Sequence, residues 1–285
     1  MGFNHPFPFC DDVNMVGTQP QFPMKCEVTG HGDPVVLVPG ALTGWISWKP
    51  HAKQLSANHR VLRVQLISVN LGLRSQPLPP NYSIESEMDA LRSTLDLLKI
   101  SRADFVGWSY GAEISLGFAL KNPQRVNSLT LIEPPALWAL KSRGLLPEDL
   151  VEHLKQVRLL GPDDVNESQL AWYTHFAGLV PAEVNPWTVP SWELWCKYRQ
   201  SLRIGNLAFR HDVAIQEIRN YRGRVLLVKG ESSSDFFKRI IDILGEEFPD
   251  ARVESLPGDH ASHMASMDKF LKTLQSFLAG AHKNK

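Results

Sequence analysis

The sequence predicts an α/β fold: a mostly parallel, doubly wound sheet with helices on both faces and an inserted helical cap. Three observations carry this. Strand-like and helix-like runs alternate along most of the chain, the pattern of a parallel sheet with crossover helices. The run 35–38 (Val-Val-Leu-Val) is continuously apolar, as a strand covered on both faces must be. The alternation then stops between Ile132 and Arg224, where helix-like segments and five tryptophans (Trp138, Trp172, Trp187, Trp192, Trp195) take over.

Each element has a local reason. Strand-like runs fall at 25–28, 35–38, 60–66, 103–106, 126–132, 224–228 and 252–256. A helix is expected at 48–57. Another, at 84–98, shows apolar spacing through Met88, Leu91, Leu95 and Leu98 and opens on a capping-box-like Ser83-Ile84-Glu85-Ser86-Glu87. Further helices are read at 112–120, 236–248 and 267–278. An insertion after the strand ending at Ile132 lies above the C-terminal ends of the strands, where open α/β sheets bind ligands. The division expected is a first core part, 1–135, a helical cap, 136–215, and a second core part, 216–285.

Bulk properties narrow the function classes. At 285 residues the chain suits one large α/β domain with an insertion. Thirty basic and thirty acidic residues cancel, so no global field recruits nucleic acid or an anionic membrane. Three scattered cysteines (Cys10, Cys26, Cys196) make neither a disulfide framework nor a zinc spacing, which fits reduced thiols and a cytoplasmic location. Residues 1–23, punctuated by Pro6, Pro8, Pro20 and Pro23, read as a surface arm without a signal-peptide pattern.

The chemistry starts at Gly107-Trp108-Ser109-Tyr110-Gly111, a G-x-S-x-G pentapeptide between a strand-like and a helix-like run. At such a strand-to-helix turn the serine hydroxyl is thrust clear of the sheet, and the glycines remove Cβ atoms that would block the turn. Ser109 is the candidate nucleophile; an ordinary glycine-flanked serine is the alternative. A serine needs a base. Leu256-Pro257-Gly258-Asp259-His260 sets His260 on the loop after the last strand, with His263 as the rival three residues on. The usual acid position after the penultimate strand holds serine, within Gly230-Glu231-Ser232-Ser233-Ser234-Asp235. Glu133, at the end of the strand after the elbow helix, is the candidate acid, with Asp235 and then Glu231 behind it. An oxyanion hole needs two backbone N–H groups, expected from Tyr110 and from Ala41 in the Pro39-Gly40-Ala41-Leu42 loop.

With these residues the chain resembles an α/β-hydrolase-fold serine hydrolase from about Lys25 to Leu278. Three features are similar to the zearalenone-type lactone hydrolases: Val-Pro before Gly40, glutamate after the strand following the elbow helix, and no acid in the usual slot. Leu-Pro-Gly-Asp-His and the Ser-Asp-Phe-Phe stretch add to the likeness. The resemblance implies a Ser-Glu-His triad of Ser109, Glu133 and His260, with Gly40, Leu42 and the cap tryptophans Trp187, Trp192 and Trp195 as candidate substrate contacts. The function expected is cofactor-independent hydrolysis of a carboxylic ester or lactone, of the zearalenone-like macrolactone type, without metal. The expected partner is an apolar small-molecule ester or lactone; neither nucleic acid nor membrane is expected, and a homodimer is left open. The alternatives are carbon–carbon bond hydrolysis by the same triad and a lactone-binding receptor on a hydrolase scaffold.

Overall fold

The computed structural model describes residues 23–160 and 164–281. The expected N-terminal arm and Cys10 lie outside the described residues. Seven strands form one sheet: β1 (Lys25–Thr29), β2 (Pro34–Val38), β3 (Arg60–Gln65), β4 (Ala103–Trp108), β5 (Val126–Ile132), β6 (Arg224–Gly230) and β7 (Ala251–Leu256). Their spatial order is β1-β3-β2-β4-β5-β6-β7, with β1 antiparallel to β3 and every other pair parallel. All seven match strand-like runs of the sequence.

The alternation of side chains across each strand builds two separate cores. Val36 and Val38 of β2, with Val225 and Leu227 of β6, face one core. Val35 and Leu37, with Leu226 and Val228, face the other. Strands β2 and β6 carry unbroken runs of four apolar residues because neither face meets water there.

Helices α1 (Lys49–Leu55), α2 (Ile67–Leu73), α3 (Ile84–Leu97) and α4 (Tyr110–Lys121) accompany the first half. Two differences from expectation stand out. The first helix is entered through a 3-10 turn, Gly44–Trp48, and becomes α-helical only at Lys49, with Pro50 in the first turn, where a missing N–H costs nothing. Helix α2 was not foreseen: Ile-Ser-Val-Asn-Leu-Gly-Leu has little helical periodicity, and its first N–H groups are held by a carboxylate from α3. In the α3 capping box, the Ser83 N–H donates to Ser86 Oγ at 3.2 Å, while Glu87 turns fully inward.

Between β5 and β6 the described chain forms only helices and turns: α5 (Leu137–Ser142), α6 (Glu148–Arg158), α7 (Glu167–Phe176), α8 (Trp192–Tyr198) and α9 (Ile215–Asn220), with a long 3-10 segment at Arg199–Phe209. Close packing ties this stretch to the sheet. A Cβ on Gly72 of α2 would lie 2.6 Å from the Ser201 N, so α2 and the 3-10 segment meet backbone to backbone. Buried Glu113 of α4 accepts from Trp138 Nε1 at 2.9 Å and pairs with His211 Nδ1 at 2.8 Å. The remaining helices are α10 (Asp235–Glu247), α11 (Ser262–Ala265) and α12 (Met267–Ala281). Among the described residues no helix is long and apolar enough to cross a membrane.

Two buried histidines titrate in opposite directions. His263 sits in an aromatic box with Trp48, Trp108, His51 and Phe270, its ring nitrogens without hydrogen-bond partners among the described residues. Burial, then the neighbouring His51 and His260, hold it well below the ordinary histidine value. His211 is pulled down by burial, but the hydrogen bond and charge of Glu113 outweigh this and raise it. A lowered folded value means that the unfolded chain binds more protons below its own pKa of about 6.5, so His263 costs stability as pH falls from there. A raised folded value gives stability that is complete below about 6.5 and lost as pH rises through the folded value. Urea unfolding between about pH 5 and 8 should therefore show stability falling on both sides of about 6.5. His263→Phe should make the acid limb shallower, with neighbouring His51, also lowered by burial, supplying the remainder, and His211→Gln should flatten the alkaline limb; a flat wild-type profile would contradict both assignments.

Candidate active site

The turn between β4 and α4 has the geometry that a nucleophile elbow requires. Ser109 lies at φ 53°, ψ −123°, a conformation that side-chain-bearing residues rarely adopt. A Cβ on Gly107 would come within 2.5 Å of the Gly111 carbonyl oxygen, and one on Gly111 within 2.4 Å of the Val38 and Pro39 carbonyls. Both positions need glycine because backbone fills the space. Two hydrogen bonds hold the turn: Ser109 N–H donates to the Ile132 carbonyl at 2.8 Å, and Ala112 N–H to that of Ser109 at 2.9 Å.

Glu133 follows β5 directly and is also left-handed, at φ 44°. Among the described residues the other two non-glycine positions at positive φ, Ser75 and Lys99, lie just past the C-termini of α2 and α3, where a left-handed residue ends a helix routinely. Ser109 and Glu133 have no such explanation. Strain of this kind, about 1–3 kcal/mol each, persists where the surroundings over-determine the backbone.

Fully buried Glu133 has both carboxylate oxygens engaged. Oε1 accepts the Gly230 N–H at 2.7 Å, and Oε2 lies 2.7 Å from His260 Nδ1. Gly230 ends β6, and a Cβ there would fall 2.2 Å from the Asp259 carbonyl, so glycine lets the histidine loop close over the strand. His260 is fixed from three more sides. Trp108 Nε1 donates to its carbonyl at 2.8 Å, Phe237 stacks on its ring at 4.2 Å and 18°, and Trp108 packs beside it at 5.7 Å. With a carboxylate at Nδ1, that nitrogen carries the proton and Nε2 keeps its lone pair.

The rival residues lie elsewhere. The Asp235 side chain is 88% exposed and pairs with Lys238 at 3.0 Å. Glu231 is exposed. His263 is sealed behind Trp108.

Ser109, His260, Ala41 and Tyr110 line one cavity. Tyr110 opens α4, so its N–H is among those that have no partner within the helix. Gly40 lies against the same turn: a Cβ there would be 3.5 Å from that of Ser109 and 3.1 Å from the Trp108 ring. The same lining includes Tyr173, Phe176 and Phe237, with Leu202, Ile204 and Phe209 from the 3-10 segment. Burial pushes the Tyr173 phenol up to about 12, so it stays protonated at neutral pH.

The structure corrects the expected tryptophan contacts, because none of Trp187, Trp192 and Trp195 lines this cavity. Trp187 is about half exposed and packs on Trp192 at 5.2 Å, while Trp192 and Trp195 are buried in the larger core. Leu42 likewise packs in that core rather than on the cavity wall. The wall aromatics come from shorter signals: Phe237 sits in the Ser-Asp-Phe-Phe stretch, and Tyr173 and Phe176 end α7. Among the described residues no cluster of three or more histidine, cysteine, aspartate or glutamate side chains could hold a metal ion.

Comparison with known proteins fits this geometry. A 2-hydroxy-6-oxo-2,4-heptadienoate hydrolase of Pseudomonas putida is 38% identical over 106 residues, 36% of this chain and 38% of that protein. A 2-hydroxy-6-oxononadienedioate/2-hydroxy-6-oxononatrienedioate hydrolase of Cupriavidus pinatubonensis is 33% identical over 156 residues, 48% of this chain and 52% of the other. The chain thus spans about half or less of the length of these relatives. Among solved structures, an esterase from Exiguobacterium antarcticum superimposes with a TM-score of 0.72 at 18% identity, covering 90% of this chain and 95% of that one. An enol-lactonase from Burkholderia xenovorans gives 0.64 at 20% identity, covering 90% and 96%. At these identities the likeness is one of fold. The family model for alpha/beta hydrolases matches residues 35–273, nearly the whole sheet with its elbow and histidine loop, and the chain belongs to that family.

Proposed function

We propose that this protein is a serine hydrolase of carboxylic esters or lactones, with Ser109, His260 and Glu133 as its triad. The observation that carries the proposal is the 2.7 Å contact between Glu133 Oε2 and His260 Nδ1, inside a cavity whose lining includes Ser109. It supports a histidine oriented to take a proton at Nε2.

In the proposed reaction, Ser109 Oγ attacks the acyl carbon as His260 Nε2 accepts its proton. The N–H groups of Ala41 and Tyr110 hold the oxyanion, where each donor contributes most because charge develops there. His260 then protonates the leaving oxygen. Water, activated by the same nitrogen, cleaves the acyl-enzyme. Glu133 keeps the imidazole in its tautomer and stabilises the imidazolium. The apolar wall from the helical stretch between β5 and β6 acts as a cap and suits a hydrophobic acyl group. A lactone leaves its alcohol tethered to the acyl chain, so the cap must accommodate the opened product. The acid just after β5 and the motifs shared with zearalenone-type hydrolases favour a macrolactone of that kind.

A second reading, carbon–carbon bond hydrolysis by the same residues, is favoured by the 38% identical stretch shared with the heptadienoate hydrolase. Incubation with 2-hydroxy-6-oxo-2,4-heptadienoate separates the two. Release of acetate at a rate exceeding ester turnover would favour the second reading; ester turnover without acetate release supports the first.

The triad is tested on p-nitrophenyl butyrate. Ser109→Ala should lower kcat by about 10⁴ or more, and a fluorophosphonate should label Ser109 in the wild type. Glu133→Gln should lower kcat by roughly 10²–10⁴ through the wrong tautomer. Asp235→Asn, which touches only an exposed ion pair, should stay within about twofold. The reverse ranking of the two acids would return the role to the β6 side. Full activity in Ser109→Ala would refute the mechanism, and a wild-type serine that resists labelling would favour a binding protein.

A further inference from the structure

Glu87 of α3 is a fully buried carboxylate, and no cation pairs with it among the described residues. Removing such a group from water costs several kcal/mol unless hydrogen bonds replace its hydration. Here three donors do so. Oε2 accepts the Ile67 N–H at 2.9 Å; Oε1 accepts the Ser68 N–H at 3.0 Å and the Tyr82 hydroxyl at 2.5 Å. Ile67 and Ser68 are the first two residues of α2, so the carboxylate also meets the positive end of that helix. Burial raises the Glu87 carboxyl, and these hydrogen bonds pull it back.

The chain of contacts continues toward the candidate site. Tyr82 spends its only proton on Glu87, which leaves its oxygen to accept. The Tyr110 hydroxyl lies 3.3 Å away and is the donor that fits. Burial first, and then the Glu87 charge, push both phenols far above their ordinary values, so both keep their protons. Tyr110 is 1% exposed, opens α4, and directly follows Ser109. Its side chain is therefore gripped at the hydroxyl, while the residue itself is part of the cavity lining.

We infer that Glu87 is a positioning residue for the backbone donor beside Ser109, acting through the hydroxyls of Tyr82 and Tyr110. The inference rests on the triad reading above. A sharp turn at positive φ leaves the direction of the Tyr110 peptide dependent on what anchors its two ends. On the Ser109 side the anchors are its N–H bond to the Ile132 carbonyl and the α4 N–H groups that hold its carbonyl; on the Tyr110 side the anchor is this hydrogen-bonded phenol. Loss of the grip leaves substrate binding in place but misdirects the N–H at the stage where negative charge develops.

The test uses p-nitrophenyl butyrate turnover by the full chain and three variants that each change one polar group of this chain of contacts: Tyr110→Phe, Tyr82→Phe and Glu87→Gln. Tyr110→Phe and Tyr82→Phe keep the buried ring and should lower kcat about tenfold, a fraction of the loss when an oxyanion donor is removed outright. KM should stay within about twofold. The double variant should lose no more than either single one, because both break the same chain. Inhibition by a trifluoromethyl ketone, which forms the tetrahedral adduct, should weaken in parallel with kcat, while binding of butyrate should not change. Glu87→Gln should lower kcat at least as far; if it fails to fold, the two tyrosine variants decide. Wild-type kcat in folded Tyr110→Phe, or additive losses in the double variant, would overturn the inference. Ser109→Ala in the same assay separates the two levels. If it is inactive while Tyr110→Phe is unimpaired, only the positioning role fails; if it is active, the triad reading itself fails.

Discussion

The arrangement around the candidate site depends on one buried carboxylate that joins two strand ends to a loop. Glu133 leaves β5 at positive φ, receives the Gly230 N–H of β6 on one oxygen, and holds His260 with the other. A carboxylate removed from water needs hydrogen bonds on its oxygens to replace its hydration. Here they come from a backbone N–H at the end of β6 and from the His260 imidazole on the loop after β7. Without glycine at 230, the loop carrying His260 could not close over β6, since backbone occupies the place of a side chain. Without the left-handed turn at Glu133, the carboxylate would follow the strand direction instead of turning across its end.

The rest of the fold makes this constraint rigid. Two cores clamp the central strands, so β4, β5 and β6 offer their C-terminal ends as a fixed platform. Ser109 and Glu133 lie at the ends of adjacent strands, coupled by the Ser109 N–H bond to the Ile132 carbonyl. Trp108, one residue before the elbow, spans to the histidine loop through its indole N–H. The strained turn, the acid and the histidine thus share neighbours, which lets the structure retain two unfavourable backbone conformations.

Legibility in the sequence followed the range of the interaction. The inner strands could be read because burial on both faces writes itself into consecutive residues, and the part-exposed edge strands β1 and β7 from their place in the alternation of strands and helices. The elbow was legible because its two glycines flank the serine in one pentapeptide, although only the demand on Gly107 is local, that on Gly111 coming from the end of β2. His260 could be found from its place after the last strand, and Glu133 from the empty acid slot near Asp235. Helix α2 escaped notice because its stabiliser, Glu87, lies about 20 residues away and matters only once folded. The cavity aromatics were misplaced for a related reason. Tryptophan is conspicuous in sequence, yet Trp192 and Trp195 fill core volume, and the wall is made by Tyr173, Phe176 and Phe209. Which face of a short helix meets a cavity depends on packing that spacing alone does not encode.

The proposed triad is a claim about one shared proton, and proton NMR reads it most directly. The account predicts a far-downfield imidazole N–H signal from His260 that moves when a fluorophosphonate is attached to Ser109. The signal should vanish in Glu133→Gln and persist in Asp235→Asn, with His211→Gln removing any separate resonance from the Glu113 pair. A His260 signal that survives Glu133→Gln, or that ignores modification of Ser109, would contradict it.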